Sequence, residues 1–178
     1  VLPSGMFGGC WALETVTLPP YLETIESGAL SGMEFNGLRG AINLKSITIP
    51  ATVTSIGGFA FANCTGLETV IFEEGSPITE LGVTELLDGE GGWGTAIFAG
   101  TTSLKAVVLP KNLTSIGIRC FENSGVSEID LPSGITHIGD RAFYNCDHLV
   151  DAHLTANLVH LGDEAFFDCA NLETAELN

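Results

Sequence analysis

Apolar and polar residues alternate along the chain in short phrases that return at a fixed interval. Leu44-Lys45-Ser46-Ile47-Thr48-Ile49-Pro50 is echoed by Leu104-Lys105-Ala106-Val107-Val108-Leu109-Pro110, by Val126-Ser127-Glu128-Ile129-Asp130-Leu131-Pro132 and by Leu13-Glu14-Thr15-Val16-Thr17-Leu18-Pro19, with looser copies starting at Leu67, Leu149 and Leu172. The period inside this phrase is two, so alternate side chains share a face and the phrase predicts a short strand. The proline that ends most copies has no amide hydrogen with which to extend a ladder. A second phrase follows, as in Val53-Thr54-Ser55-Ile56-Gly57, Leu113-Thr114-Ser115-Ile116-Gly117, Ile135-Thr136-His137-Ile138-Gly139 and Leu158-Val159-His160-Leu161-Gly162. It predicts a shorter strand ending where glycine permits a tight turn. A third phrase closes the unit: Ala60-Phe61-x-x-Cys64-x-x-Leu67, repeated from Ala142 and from Ala165. Its spacing of three suits a single helical or 3₁₀ turn.

The central apolar residues of the first phrase are Val16, Ile47, Val70, Val107, Ile129, Ala152 and Ala175, spaced 31, 23, 37, 22, 23 and 23. The unit is therefore 23 residues, with one single-residue deletion near Gly125 and two insertions, within 26–43 and 83–96. Such a unit cannot bury its own apolar face, but stacked units form a continuous core. Residues 1–178 are expected to form one domain of about seven coils, a rod of roughly 35 Å at the ~4.8 Å strand spacing. Both insertions are expected to leave the same edge of the rod, after the second phrase.

The combined phrase resembles the BspA-like, or Treponema pallidum type, leucine-rich repeats of bacterial and some protist surface proteins, and the resemblance covers nearly the whole chain. It implies an α/β repeat solenoid of the right-handed leucine-rich repeat fold. Short parallel strands would line its concave side, with second short strands and single helical turns on its convex side. It also implies extracellular or cell-surface display and adhesion to host proteins or other cells.

Composition narrows the function classes. The chain has 178 residues, with 6 Lys+Arg against 22 Asp+Glu, a net charge of −16, and is 45% hydrophobic; its mean hydropathy is +0.34. It is too apolar for a disordered segment and too acidic for a nucleic-acid binder. No apolar run reaches the ~18–20 residues needed to span a bilayer. The repeats account for the apolar content, since core ladders run through every coil. Seven acids and no Lys or Arg follow Arg141, so the acidity is concentrated at the C-terminal coils and favours basic partners.

The residues that invite chemistry follow the repeat register. Cys10, Cys64, Cys146 and Cys169 share one repeat position and Cys120 stands at the alanine position, which reads as small, buried, reduced core residues. No Cys/His spacing typical of a metal site is present. His137 and His160 stack one coil apart beside Asp140 and Asp163; they read as polar solvent-facing residues, or as two ligands toward a divalent metal. Phe61, Phe98, Phe121, Phe143 and Phe166 read as a core spine. Phosphate-cradling and nucleophile motifs are missing, so no enzyme activity, cofactor or metal is assigned.

Two places break the repeat and are candidate binding elements. One is the outward face of the first strands, with Thr69, Ile71 and Val108 forming a mildly apolar part and Glu128, Asp130, Asp151 and His153 a mostly acidic one. The other is the pair of inserted loops, in which Trp93 either anchors a partner or folds back over the core, and Asp88 and Glu90 lack the ligand alternation of a calcium loop. The reading is a non-enzymatic surface or secreted protein-binding module with a protein partner, such as a host extracellular protein, no nucleic acid and no membrane insertion. The alternative is a structural spacer displaying another domain. The chain starts in mid-repeat and ends in a strand, so it is expected to be a portion of a longer protein whose bare ends can self-associate.

Overall fold

The computed structural model describes residues 1–32, 40–84 and 95–177. Its strands are β1 (Thr24–Ile25), β2 (Ser46–Ile49), β3 (Ser55–Ile56), β4 (Thr69–Phe72), β5 (Glu80–Leu81), β6 (Ala106–Val108), β7 (Ser115–Ile116), β8 (Glu128–Ile129), β9 (His137–Ile138), β10 (Asp151–Leu154), β11 (His160–Leu161) and β12 (Thr174–Leu177). First-phrase strands pair in parallel as β2-β4-β6-β8 and, separately, β10-β12. Second-phrase strands pair as β1-β3 and as β5-β7-β9-β11. The chain is therefore a leucine-rich repeat solenoid whose successive coils add strands to two columns, the first divided between β8 and β10 and the second between β3 and β5.

Alternation within the first strands sets the core. Ile47, Ile49, Val70, Phe72, Val107, Ile129, Ala152 and Leu154 are buried, while the residues between them face outward. Behind them Phe61, Phe98, Phe121 and Phe143 are fully buried, and Phe166 extends the same stack. Ring centroids are 5.1–5.3 Å apart and neighbouring planes lie within 12° of parallel.

The third phrase holds no helix among the described residues. It is a run of tight turns, with Ala60 N donating to Gly57 O, Ala62 N to Phe59 O and Cys64 N to Phe61 O. Two residues four apart take left-handed backbone in successive coils: Phe59 and Asn63, Ala96 and Gly100, Arg119 and Asn123, Arg141 and Asn145, Glu164 and Asp168. These kinks flatten the phrase, so that alternate amides point to the next coil. Phe59, Phe61 and Asn63 donate to Thr95, Ile97 and Ala99, and Arg141, Phe143 and Asn145 donate to Asp163, Ala165 and Phe167. The outcome is a third ladder, which a helical turn could not provide because its amides bond within the turn.

The glycine of the second phrase has a different role from the one its sequence suggests. The left-handed turn falls two residues later, and the glycine lets two coils touch. A Cβ on Gly139 would sit 2.7 Å from Ile118 N, and one on Gly162 would sit 2.3 Å from Asp140 N. Gly139→Ala should therefore cost about 1–3 kcal/mol in urea unfolding, the usual range for overpacking. Gly134, whose nearest neighbour to such a Cβ is Leu113 O at 3.3 Å, should tolerate alanine with a much smaller loss. Equal losses at the two sites would remove this explanation.

Hydrogen bonds locate the insertions. Gly32 N reaches Ala62 O across 62 − 32 = 30 residues, whereas Gly66 N reaches Ile42 O across 66 − 42 = 24. The first insertion therefore lies between Gly32 and Ile42, within the third phrase. For the second, Ile118 N meets Val83 O and Ile118 O accepts from Ala96 N, so it leaves directly after the second phrase. The two insertions thus depart from different points of the coil, contrary to the expectation of a shared edge. Trp93, Asp88 and Glu90 lie outside the described residues.

Candidate functional site

The outward face of the first-strand column is built by the alternation that fills the core. Its register rows run Ser46, Thr69, Ala106 and Glu128, and beside them Thr48, Ile71 and Val108. Thr69 and Ala106 are half-buried between neighbouring strands. Ile71 is 39% exposed and Val108 54% exposed, and both lie on the sheet face turned away from the core. Glu128 and Asp130 are exposed at and just beyond β8. The fold thus places Thr69, Ile71, Val108, Glu128 and Asp130 along one sheet. Asp151 and His153 belong to the separate β10-β12 sheet, where both are exposed and Asp151 accepts a hydrogen bond from Thr174 Oγ1.

Between the ends of β6 and β8 the surface sinks into a depression of about 500 Å³, lined by Val108, Leu109, Lys111, Asp130, Leu131 and Pro132 among others. It forms because only Ala106 and Val107 of β6 stay in register with β8.

Most of the scarce positive charge is used inside the solenoid. Lys105 pairs with Glu68 at 2.9 Å, Lys111 with Glu74 at 2.9 Å, Arg119 with Glu122 at 3.6 Å and Arg141 with Glu164 at 2.6 Å. The hydrogen bond and charge of Lys105 hold Glu68 below the usual carboxylate range, and Lys111 does the same for Glu74. Among the described residues no ion pair engages Glu128, Asp130 or Asp151. The acidic end of the face is therefore uncompensated and exposed, a field that attracts cationic groups.

The cysteines divide by position. Cys64, Cys120 and Cys146 are buried, Cys169 is half-buried and Cys10 is exposed, so the expectation of a wholly buried set holds only for the middle coils. All five are free thiols. Those of Cys64, Cys146 and Cys169 donate to the preceding coil, to Leu30 O at 3.0 Å, Phe121 O at 3.1 Å and Phe143 O at 3.1 Å. Burial pushes the Cys64 and Cys146 thiols up to about 12, which keeps them neutral and non-nucleophilic. The His137 and His160 rings stack with centroids 6.0 Å apart, and Thr136 Oγ1 lies 2.9 Å from His137 Nδ1. Among the described residues no group of three or more His, Cys, Asp or Glu side chains converges as a metal site would require.

Asparagine at the left-handed turn is a residue whose role the repeat pattern alone leaves unassigned. Asn145 Nδ2 donates to Asn123 Oδ1 at 2.7 Å, tying one coil to the next at the surface. The signal is present in the sequence, because Asn, Gly or Asp stands directly before the cysteine position in Asn63, Gly100, Asn123, Asn145 and Asp168, the residue types that tolerate left-handed backbone.

Known proteins share this architecture. The family model described as BspA type leucine rich repeat region matches residues 1–39, 36–84 and 93–178, in six copies. No curated protein matches the chain. The crystal structure of a leucine-rich repeat protein of T. pallidum (TpLRR) has a TM-score of 0.55 at 25% identity, covering 78% of this chain and 53% of that one. A leucine-rich repeat protein of Bacteroides ovatus has a TM-score of 0.49 at 24% identity, covering 95% and 50%. The pneumococcal vaccine antigen PcpA has a TM-score of 0.53 at 18% identity, covering 81% and 36%. The chain spans about half the length of the first two of these structures, and about a third of the last.

Proposed function

From the premise that the chain belongs to the BspA-type leucine-rich repeat family, we propose that it is a non-enzymatic protein-binding module, displayed at the cell surface or secreted, whose outward first-strand face holds the partner. The observation that carries this reading is the make-up of that face. Exposed Ile71 and Val108 sit one coil apart beside exposed, uncompensated Glu128 and Asp130. Their core-facing neighbours already satisfy the fold, and solvent-facing apolar side chains next to unpaired charge are what a recognition surface needs. The partner that fits is a protein with an apolar patch bordered by basic residues, such as an extracellular protein of a host. The thiols of Cys64 and Cys146 are buried and neutral, which removes these two as nucleophiles.

The test is a surface-display binding screen against purified extracellular proteins, followed by the variants Ile71→Ser with Val108→Ser, and Glu128→Lys with Asp130→Lys. Each double variant is expected to weaken the recovered partner at least tenfold, on the scale of ~1.4 kcal/mol, while circular dichroism and thermal midpoint stay close to wild type. Recovery of a partner whose affinity neither variant alters would move the site off this face. Recovery of none would favour the spacer role.

A further inference from the structure

We propose that the depression between the ends of β6 and β8 is a pocket for an arginine side chain of a partner protein, with the apolar stem against Val108, Leu131 and Pro132 and the guanidinium on Asp130. This rests on the binding reading above and names the place and the chemistry of the anchoring contact. Repeat equivalence shows what is unusual at this place. The core-facing residue that ends the first phrase is buried as Leu18, Ile49, Phe72, Leu109 and Leu154, but half-buried as Leu131. Within the stack, the proline that follows is buried as Pro50 and Pro110 but half-buried as Pro132; Pro19, in the first coil, is exposed. Leu131 and Pro132 both line the depression, together with Val108, itself an exposed apolar residue. Apolar surface that neighbouring coils keep covered is therefore open to water here.

The charges of the lining select the occupant. Lys111 and Asp130 both belong to it. Lys111 Nζ is already held by Glu74 at 2.9 Å, whereas among the described residues no ion pair engages Asp130. An anionic ligand would have to displace Glu74 from Lys111 while lying beside the bare Asp130 carboxylate. A wholly apolar ligand would take water from that carboxylate and return nothing, which is costly. The group that answers both conditions is apolar along its length and cationic at its tip. Lysine and arginine have that form, laying a hydrocarbon stem on apolar surface with the charged head beyond it. Arginine suits the site better, because its planar guanidinium meets a carboxylate through two parallel hydrogen bonds and is more weakly hydrated than an ammonium. Arginine is also among the side chains that most often anchor a protein interface from within a pocket.

The two requirements coincide at this step and separate at its neighbours. One coil earlier Val108 takes the repeat position of Asp130, and the Leu109 and Pro110 that follow it are buried. One coil later His153 takes that position, and the Leu154 that follows is buried. Among the described residues, a carboxylate beside an uncovered apolar floor is therefore found in the coil of β8 and not in the coils on either side. The depression, at about 500 Å³, lies within the size range of ligand pockets and has room for one long side chain and the main chain that carries it.

The test uses the whole chain, with isotope-labelled valine and leucine methyl groups, and blocked alanine peptides carrying a central arginine, citrulline or glutamate. Citrulline keeps the shape of arginine and lacks its charge. The arginine peptide should shift the methyl signals of Val108 and Leu131 saturably below about 10 mM, the weak range open to a single anchoring side chain. The citrulline and glutamate peptides should each bind at least fivefold more weakly. Asp130→Asn, a change at an exposed position, should bring the arginine peptide down to the level of citrulline and leave the thermal midpoint unchanged. Glu74→Gln, which frees Lys111 to repel a guanidinium, should weaken the arginine peptide and strengthen the glutamate one. Equal binding of arginine and citrulline, saturable shifts centred away from Val108 and Leu131, or no saturable shift would overturn the proposal. The display screen is decided separately: a partner lost on Ile71→Ser with Val108→Ser but indifferent to Asp130→Asn would leave the binding face standing and remove only the pocket.

Discussion

Phe121→Ala is expected to lower unfolding stability by about 3–5 kcal/mol, in the upper part of the range for large-to-small core changes. The ring is fully buried and stacks on Phe98 at 5.3 Å and on Phe143 at 5.3 Å. Its loss removes buried apolar area and two aromatic contacts, each worth about 0.5–1.5 kcal/mol beyond burial. The decisive point is that the hole cannot collapse. Phe98 N bonds to Cys120 O on one side and Phe121 N to Ala142 O on the other, so the coil spacing is held by backbone. In a domain of ordinary stability, about 5–15 kcal/mol, a loss of this size leaves little margin, and in a stacked array it also uncouples the coils on either side. Phe166 is half-buried and stacks on Phe143 alone among the described residues, so Phe166→Ala should cost clearly less. Urea unfolding of both variants is the measurement. Similar losses at the two positions would mean that the aromatic column does not carry stability in the way its geometry implies.

The position of Phe121 in that column was legible from the sequence, as were the strands, because both depend on a residue's place within the unit. A period of two over Ser46–Ile49 and a return after 23 residues at Thr69–Phe72 together dictate strand, register and burial. The turn phrase was less legible. A spacing of three between Phe61 and Cys64 fits a helical turn and a run of tight turns equally, and only Asn63 and its counterparts at Gly100, Asn123 and Asn145 distinguish them. Gly57, Gly117, Gly139 and Gly162 stand out in the sequence as turn glycines, whereas their role is coil contact, which is a property of the stack and is invisible within one unit. The outward face was readable as a list of side chains from Thr69 to His153. Its division into two sheets was not, although the 22-residue coil and the facing acids Glu128 and Asp151 were both present in the sequence. Ladder continuity assumes that each step resembles the last, and a one-residue deletion with like charges in register is where that assumption fails.

The same column logic governs the thiols and gives an alkaline limit to the fold. Cys64 and Cys146 are raised from 9.0 to about 12 by burial, and Cys120 is raised further, again by burial first. In the unfolded chain these thiols ionise near 9, whereas in the native protein they stay protonated. Between those values the native state holds more protons than the unfolded state, so stability must fall as pH rises. The contribution is fully present below pH 9 and is lost progressively toward pH 12. Each thiol contributes about 1.4 kcal/mol per pH unit within the window, so three together give roughly 4 kcal/mol per unit, enough to unfold a domain of ordinary stability within about two units. A variant that lacks the buried thiols isolates their contribution. Wild type and the triple variant Cys64→Ala, Cys120→Ala, Cys146→Ala should be unfolded in urea, under reducing conditions, at pH 8, 9.5 and 10.5. The variant starts less stable, because Cys64 and Cys146 donate to Leu30 O and Phe121 O and fill their sites, but its stability should decline far less steeply. The two curves should therefore converge as pH rises, and curves that stay parallel would show that thiol burial does not set the alkaline limit.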